Sequence, residues 1–157
     1  MSDTGTEDAE LIASDVDELT HAELLCLYKD AEENIRFSKL LQWRITGGTL
    51  AIYLLFTLMA SGYMAAGIMT KILIILSFLV GSISISILAI FQSWQGTERE
   101  KIGLIIGKLS SLARRVYNTK PKRMADIERY SLYGFMCCAI LAGGFFALSR
   151  LMRWFPA

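Results

Sequence analysis

Three blocks of the chain, residues 45–70, 72–97 and 130–149, contain no charged side chain and are 26, 26 and 20 residues long. A helix rises about 1.5 Å per residue, so roughly 20 apolar residues cross a hydrocarbon core about 30 Å thick. Each block is long enough, and the pattern predicts an all-α integral membrane protein with three transmembrane helices. Lys71 alone separates the first two blocks, and Gly62 and Gly67 precede it, which predicts a hairpin of two spans, residues 45–70 and 71–97, joined by a tight turn.

Outside the blocks the apolar positions take a helical period. Residues 1–19 are acidic and lack any such period, so they are expected to form a mobile tail. Thr20 followed by Glu23 is a capping box, which predicts that a helix starts there. Leu24, Tyr28, Ala31 and Ile35 then fall on one face, and Lys29, Asp30, Glu32, Glu33 and Arg36 on the other. No Pro or Gly occurs from Thr20 to Thr46, so this amphipathic cytoplasmic helix, residues 20–44, is expected to continue into the first span. Beyond the second span, Ile102, Ile105, Leu109, Leu112 and Val116 repeat at alternating spacings of three and four, with Lys101, Lys108 and Arg115 opposite. They predict a second amphipathic helix inside the basic segment 98–129, stopped before Pro121, which disfavours helical geometry in the residue preceding it. Residues 130–149 form the third span, and residues 150–157 an interfacial tail carrying Arg150, Arg153 and Trp154.

Composition fits one small unit: 157 residues, 54% of them apolar. The formal charge of +1 hides an asymmetry, since residues 3–33 hold eleven acids against Lys29 alone and the remainder holds fifteen bases against four acids. Lysine and arginine set orientation. Residues 1–44 and 98–129 carry four and nine of them, against three elsewhere, which predicts a cytoplasmic N-terminus and, with three spans, an external C-terminus. A third block that folded back would instead place Arg150 and Arg153 inside. The acidic N-terminus lacks the basic region of a secretory signal, so no cleaved leader is expected. The expected location is a bacterial inner membrane.

Candidate chemistry is sparse. Cys26, Cys137 and Cys138 have no metal-ligand or redox spacing, and His21, the single histidine, sits at a helix start. The carboxylates Glu23, Asp30, Glu32, Glu33, Asp126 and Glu128 lie in charge-rich helical surroundings without a metal-ligand pattern or phosphate loop. No enzyme activity, cofactor, metal or small-molecule substrate is expected. The three blocks contain no Asp, Glu, His, Lys or Arg, which argues against a pump or proton relay. A passive pore of several chains stays open, because Ser82, Ser84 and Ser86 could line one or could bond to carbonyls of their own helix.

Two sets of residues are candidate contact surfaces. Gly47 with Ala51, Ser82 with Ser86, and Ala139, Gly143 and Ala147 place small side chains one helical turn apart, so they are candidates for helix packing within the chain or between copies. On the cytoplasmic side the candidates are Leu24, Tyr28, Ile35, Ile102, Ile105, Leu109, Leu112 and Val116, with Arg114 and Arg115 beside them. These faces pack on each other, bind a protein partner, or contact anionic lipid. Nucleic acid fits poorly, since the basic residues are not interleaved with aromatics and an acidic region is close by.

The passage Leu27-Tyr-Lys-Asp-Ala-Glu-Glu-Asn-Ile-Arg-Phe-Ser-Lys-Leu-Leu-Gln-Trp-Arg44, followed by a membrane hairpin and a basic amphipathic helix, resembles the layout of bacterial SLATT-type membrane proteins over roughly residues 28–115. The resemblance implies a membrane effector of a conflict system, pore-forming or membrane-perturbing. This chain adds a third span to that layout. The residues themselves point first to a structural or interaction protein in the lipid bilayer, a homo-oligomer or a subunit of a membrane complex, with an oligomeric pore as the alternative.

Overall fold

A long run without Pro satisfies its backbone most simply as helix, and this chain does so almost throughout. The computed structural model describes residues 16–61, 67–119 and 121–153, the side chains of Ser61 and Lys122 aside. The described residues form α1 (Glu18–Ser61), α2 (Gly67–Lys108), α3 (Ser111–Tyr117) and α4 (Lys122–Arg153) and contain no strand. α1, α2 and α4 are each long and apolar enough to cross a membrane. Residues 1–15 of the acidic tail, the inter-span turn at 62–66 and the Trp154 anchor lie outside the described residues.

The first helix begins two residues earlier than the Thr20 and Glu23 pattern predicts. Asp17 is the cap: its carboxylate accepts the Thr20 amide at 3.2 Å and the Thr20 hydroxyl at 2.6 Å, and its carbonyl accepts the His21 amide at 2.9 Å. These bonds hold the Asp17 carboxyl below the usual carboxylate range, the Thr20 hydroxyl contributing most. From there α1 runs unbroken for 44 residues, about 66 Å at 1.5 Å per residue, so the amphipathic segment and the first span are one rod.

The second span and the basic helix after it are likewise continuous, which corrects the expected boundary at residue 98. α2 carries on to Lys108 and includes Ile102 and Ile105. The break comes inside the expected amphipathic helix. Gly103 and Gly107 weaken the end of α2, and Ser110 caps α3 by accepting the Ala113 amide on its hydroxyl at 3.4 Å. Arg114 then reaches back to donate to the Gly107 carbonyl at 2.7 Å, satisfying an acceptor that the ended helix leaves free. One regular seam on paper is therefore two: Ile102 and Ile105 are buried, whereas Leu112 and Val116 are exposed. α3 stops at Tyr117, as Pro121 predicts, and α4 starts at Lys122, eight residues before the third charge-free block.

α1 and α2 are antiparallel: Thr49 meets Ser84, Gln42 meets Gln95, and Ala31 packs with Ile102 and Ile106. α4 packs against both and runs parallel to α1, since Gly143 faces Leu50 and Tyr53, and Leu151 clusters with Ala60 and Leu73. The three long helices thus make an up-down-up bundle, with Arg153 at the end opposite Glu18. α4 does not fold back.

The bundle is apolar on its outer face, and its interior mixes apolar side chains such as Leu88, Met136 and Ile140 with buried hydroxyls. Leu54, Leu58, Ile75, Phe78, Ile83 and Phe145 face outward, while Thr46, Thr49, Ser77 and Ser84 are buried. The buried hydroxyls are satisfied on carbonyls one turn back (Thr46 to Gln42, Thr49 to Ile45, Ser77 to Leu73), and Thr49 also bonds Ser84 at 2.6 Å. Tyr53 fills the centre, where it lies against Gly81 of α2 and Gly143 and Gly144 of α4. Its hydroxyl donates to the Ser77 carbonyl at 3.4 Å. A methyl group at Gly81 would stand 2.5 Å from the Tyr53 hydroxyl oxygen, so the missing side chain is what admits the ring.

Candidate functional site

Two recesses lie at the charged end of the bundle. The first is where the charge-free blocks give way to charged sequence in all three long helices. Lys39 and Gln42 of α1, Gln92, Gln95 and Arg99 of α2, and Arg129 of α4 surround a cavity of about 330 Å³, which Glu128, Leu132 and Tyr133 also line. Glutamines suit this depth, because each side chain supplies both donor and acceptor without a charge. Gln95 donates to the Gln42 oxygen at 2.9 Å, and the Gln42 amide lies 3.5 Å from both the Gln92 oxygen and the Leu88 carbonyl. Arg129 crosses from α4 over Gly96, stacks on Tyr130 at 4.6 Å and pairs with Asp126 at 3.4 Å.

The side chains that line the cavity leave donors over, while the Glu98 Oε2 beside them is itself buried without a partner. Gln92 Nε2, Arg99 Nε and Arg129 Nε are buried without a hydrogen-bond partner, and all three are donors. Leaving a buried donor unpaired costs about 1–3 kcal/mol, more at a charged group, so an acceptor admitted beside these three side chains would be stabilised. Three cationic side chains line the space, against the single carboxylate of Glu128. The neighbouring Glu98, buried on the same helix, accepts from Lys101 at 2.7 Å and from the Trp94 indole at 3.2 Å.

The second recess is an apolar groove of about 390 Å³ farther from the charge-free blocks. Leu25 and Tyr28 of α1, Ile106 near the end of α2, Leu109 in the break after it, and Leu112 and Val116 of α3 line it. It exists because the break at residues 109–110 swings α3 away from the seam that buries Ile102 and Ile106 against Ala31. Lys108, Arg114 and Arg115, exposed, adjoin its lining residues in the sequence.

The residues singled out from sequence divide between these features. Tyr28 and Ile35 pack on the Ala31, Ile102 and Ile106 cluster, Ile105 is buried, and Leu24 and Leu109 are half-buried. Leu112, Val116, Arg114 and Arg115 are exposed. Among the small residues, Gly143 and Ala147 pack inside the bundle and Ala139 is half-buried, but Gly47, Ala51, Ser82 and Ser86 lie on exposed faces. The α2 line that packs is Ser77, Gly81, Ser84 and Leu88, one register away from Ser82 and Ser86. Ser86 bonds to the Ser82 carbonyl at 2.9 Å. The glutamine network and its arginines escape a search for metal or catalytic spacing; the signal that marks them is Gln42, Gln92 and Gln95 at the two ends of charge-free blocks. Cys26 and Cys138 are exposed and Cys137 half-buried, and no group of three His, Cys, Asp or Glu able to hold a metal occurs among the described residues.

No family model matches the chain, and neither the curated proteins nor the solved structures contain a match.

Proposed function

We propose that the chain is a multi-pass protein of the bacterial inner membrane, N-terminus cytoplasmic and C-terminus external, whose charged-end bundle recruits or regulates a protein partner. The apolar outer surface of the bundle supports residence in lipid: only about a fifth of the most apolar window of each long helix is buried, and contiguous apolar faces of that size are untenable in water. The observation that carries the interaction reading is the groove at Leu25, Tyr28, Leu109, Leu112 and Val116. Outward leucines within the charge-free blocks are accounted for by acyl chains. Those of the groove lie beyond the blocks and have no such solvent. An amphipathic protein helix with acidic flanks fits it, its apolar face in the groove and its carboxylates near Lys108 and Arg115.

A photo-crosslinking residue placed at Val116 in cells tests this. One discrete protein adduct, lost when Leu25→Asp is added and absent from a probe at Phe145, is the expected result. Lipid adducts alone at Val116, or none, refute it. A second reading, the oligomeric pore implied by the layout of the first two spans, draws on the exposure of Gly47, Ala51, Ser82 and Ser86, a small-residue surface that copies of the chain would use to approach closely. Dye release from liposomes at high protein density is its expected outcome, and tight vesicles refute it.

A further inference from the structure

We infer that the cavity between Gln42, Gln92, Arg99 and Arg129 is a binding site for a phosphate group. The surroundings call for an anion rich in acceptors. Every unpartnered polar atom on its lining side chains, Gln92 Nε2, Arg99 Nε and Arg129 Nε, is a donor, and Lys39, Arg99 and Arg129 still outnumber Glu128 on the lining together with Asp126, which pairs with Arg129 from just outside it. Neutral hydroxyls or carbonyls would satisfy donors one at a time and leave the remaining positive charge uncompensated. A phosphate oxyanion offers several acceptors at once and forms the shorter, charge-assisted bonds that guanidinium groups favour.

The space is adequate: about 330 Å³ equals the liquid volume of on the order of ten waters at about 30 Å³ each. Its depth matters as much as its charge. Gln42 lies three residues outside the first charge-free block, Gln92 and Gln95 lie inside the end of the second, and Arg129 immediately precedes the third, so the cavity sits where lipid headgroups meet the bundle. Two sources can present the group there, an anionic phospholipid or a soluble phosphate. The cationic excess favours either one over a zwitterionic headgroup, whose own cation offsets the oxyanion.

The test uses the full chain, purified in neutral detergent and read by native mass spectrometry and thermal unfolding. One arm adds phosphatidylglycerol or phosphatidylcholine, and the other titrates inorganic phosphate. Retention of about one phosphatidylglycerol per chain, at least tenfold over phosphatidylcholine, assigns the lipid source; a saturable rise in Tm with phosphate alone assigns the soluble one. In either case Arg99→Gln is expected to weaken binding by tenfold or more, and Lys29→Gln, exposed and outside the cavity, to leave it unchanged. Lys39 is exposed, so Lys39→Gln keeps the fold and must also weaken binding if Arg99→Gln or Arg129→Gln fails to assemble. The proposal is overturned if neither ligand is retained, if phosphatidylcholine binds as well as phosphatidylglycerol, or if Lys39→Gln and the arginine variants that fold all bind like the parent.

Discussion

Gly81→Ala isolates a single atomic contact. The new methyl group would stand 2.5 Å from the Tyr53 hydroxyl oxygen, while the next nearest atom, the ring carbon bearing it, is at 3.8 Å, an ordinary contact distance. Tyr53 has nowhere to retreat, because a side chain at Gly144 would already find its ring at 3.2–3.5 Å and Gly143 flanks it as well. Overpacking of this kind costs about 1–3 kcal/mol. The usual helix-propensity gain of Gly→Ala, about 1 kcal/mol in water, counts for less where the unfolded state in lipid keeps its helices. Tyr53→Phe alone gives up one long bond to the Ser77 carbonyl, about 0.5–1.5 kcal/mol. Since the phenylalanine has no hydroxyl oxygen, the double variant is expected to be no less stable than Tyr53→Phe, a coupling of about 1–3 kcal/mol. Reversible unfolding in mixed dodecylmaltoside and SDS micelles, followed by circular dichroism, measures all four proteins. Additive costs to within about 0.5 kcal/mol would refute the packing of Tyr53 on Gly81. Gly143→Ala is a useful contrast, because its closest neighbour is a terminal methyl of Leu50, which is 37% exposed and free to turn, so its cost is expected to be the smaller.

Gln42→Leu removes the acceptor of Gln95 and is expected to destabilise the bundle by about 1–3 kcal/mol, whereas Gln42→Leu with Gln95→Leu recovers part of that loss; the same unfolding assay reads both, and a double variant worse than the sum contradicts the network. The Asp17 cap has a definite pH sense. Its carboxyl titrates below the ordinary carboxylate range in the folded helix, so the cap is intact above that range and is lost as pH falls through the lowered value. Protection factors for amide exchange at Thr20 and His21, taken against the intrinsic rate at each pH, should fall on that descent, and Asp17→Ala should show low protection throughout; a parent protein whose protection there is insensitive to acid contradicts the cap.

Which parts of this architecture can be read from residues follows from the physics that fixes them. Charge-free blocks mark long helices because length and apolarity are local properties, and the stop before Pro121 is local too. The Thr20 and Glu23 pair misplaces the start because Asp17 offers the same hydrogen-bond chemistry three residues earlier. Periodicity carried Ile102 through Val116 as one seam, but periodicity is blind to a break at two consecutive non-helical residues when the spacing resumes in phase. Ser82 and Ser86 look equivalent to Ser84 along the chain; only the facing helix, through Thr49, selects one of the three. The cavity is harder still, since Lys39, Gln92 and Arg129 come from three helices and share no local pattern.

Because α1 and α2 pass without a joint from the charged bundle into the apolar blocks, the groove has a fixed height. Tyr28 stands seventeen residues before Ile45, a distance of about 26 Å along the helix. If the charge-free blocks lie in a bilayer, as proposed, an occupant of the groove would be held at that standoff from the acyl region, on a post rather than a tether. On that reading a membrane-bound partner whose own contact point lay much nearer the bilayer, or much farther from it, would be disfavoured by reach alone, before any side chain is compared.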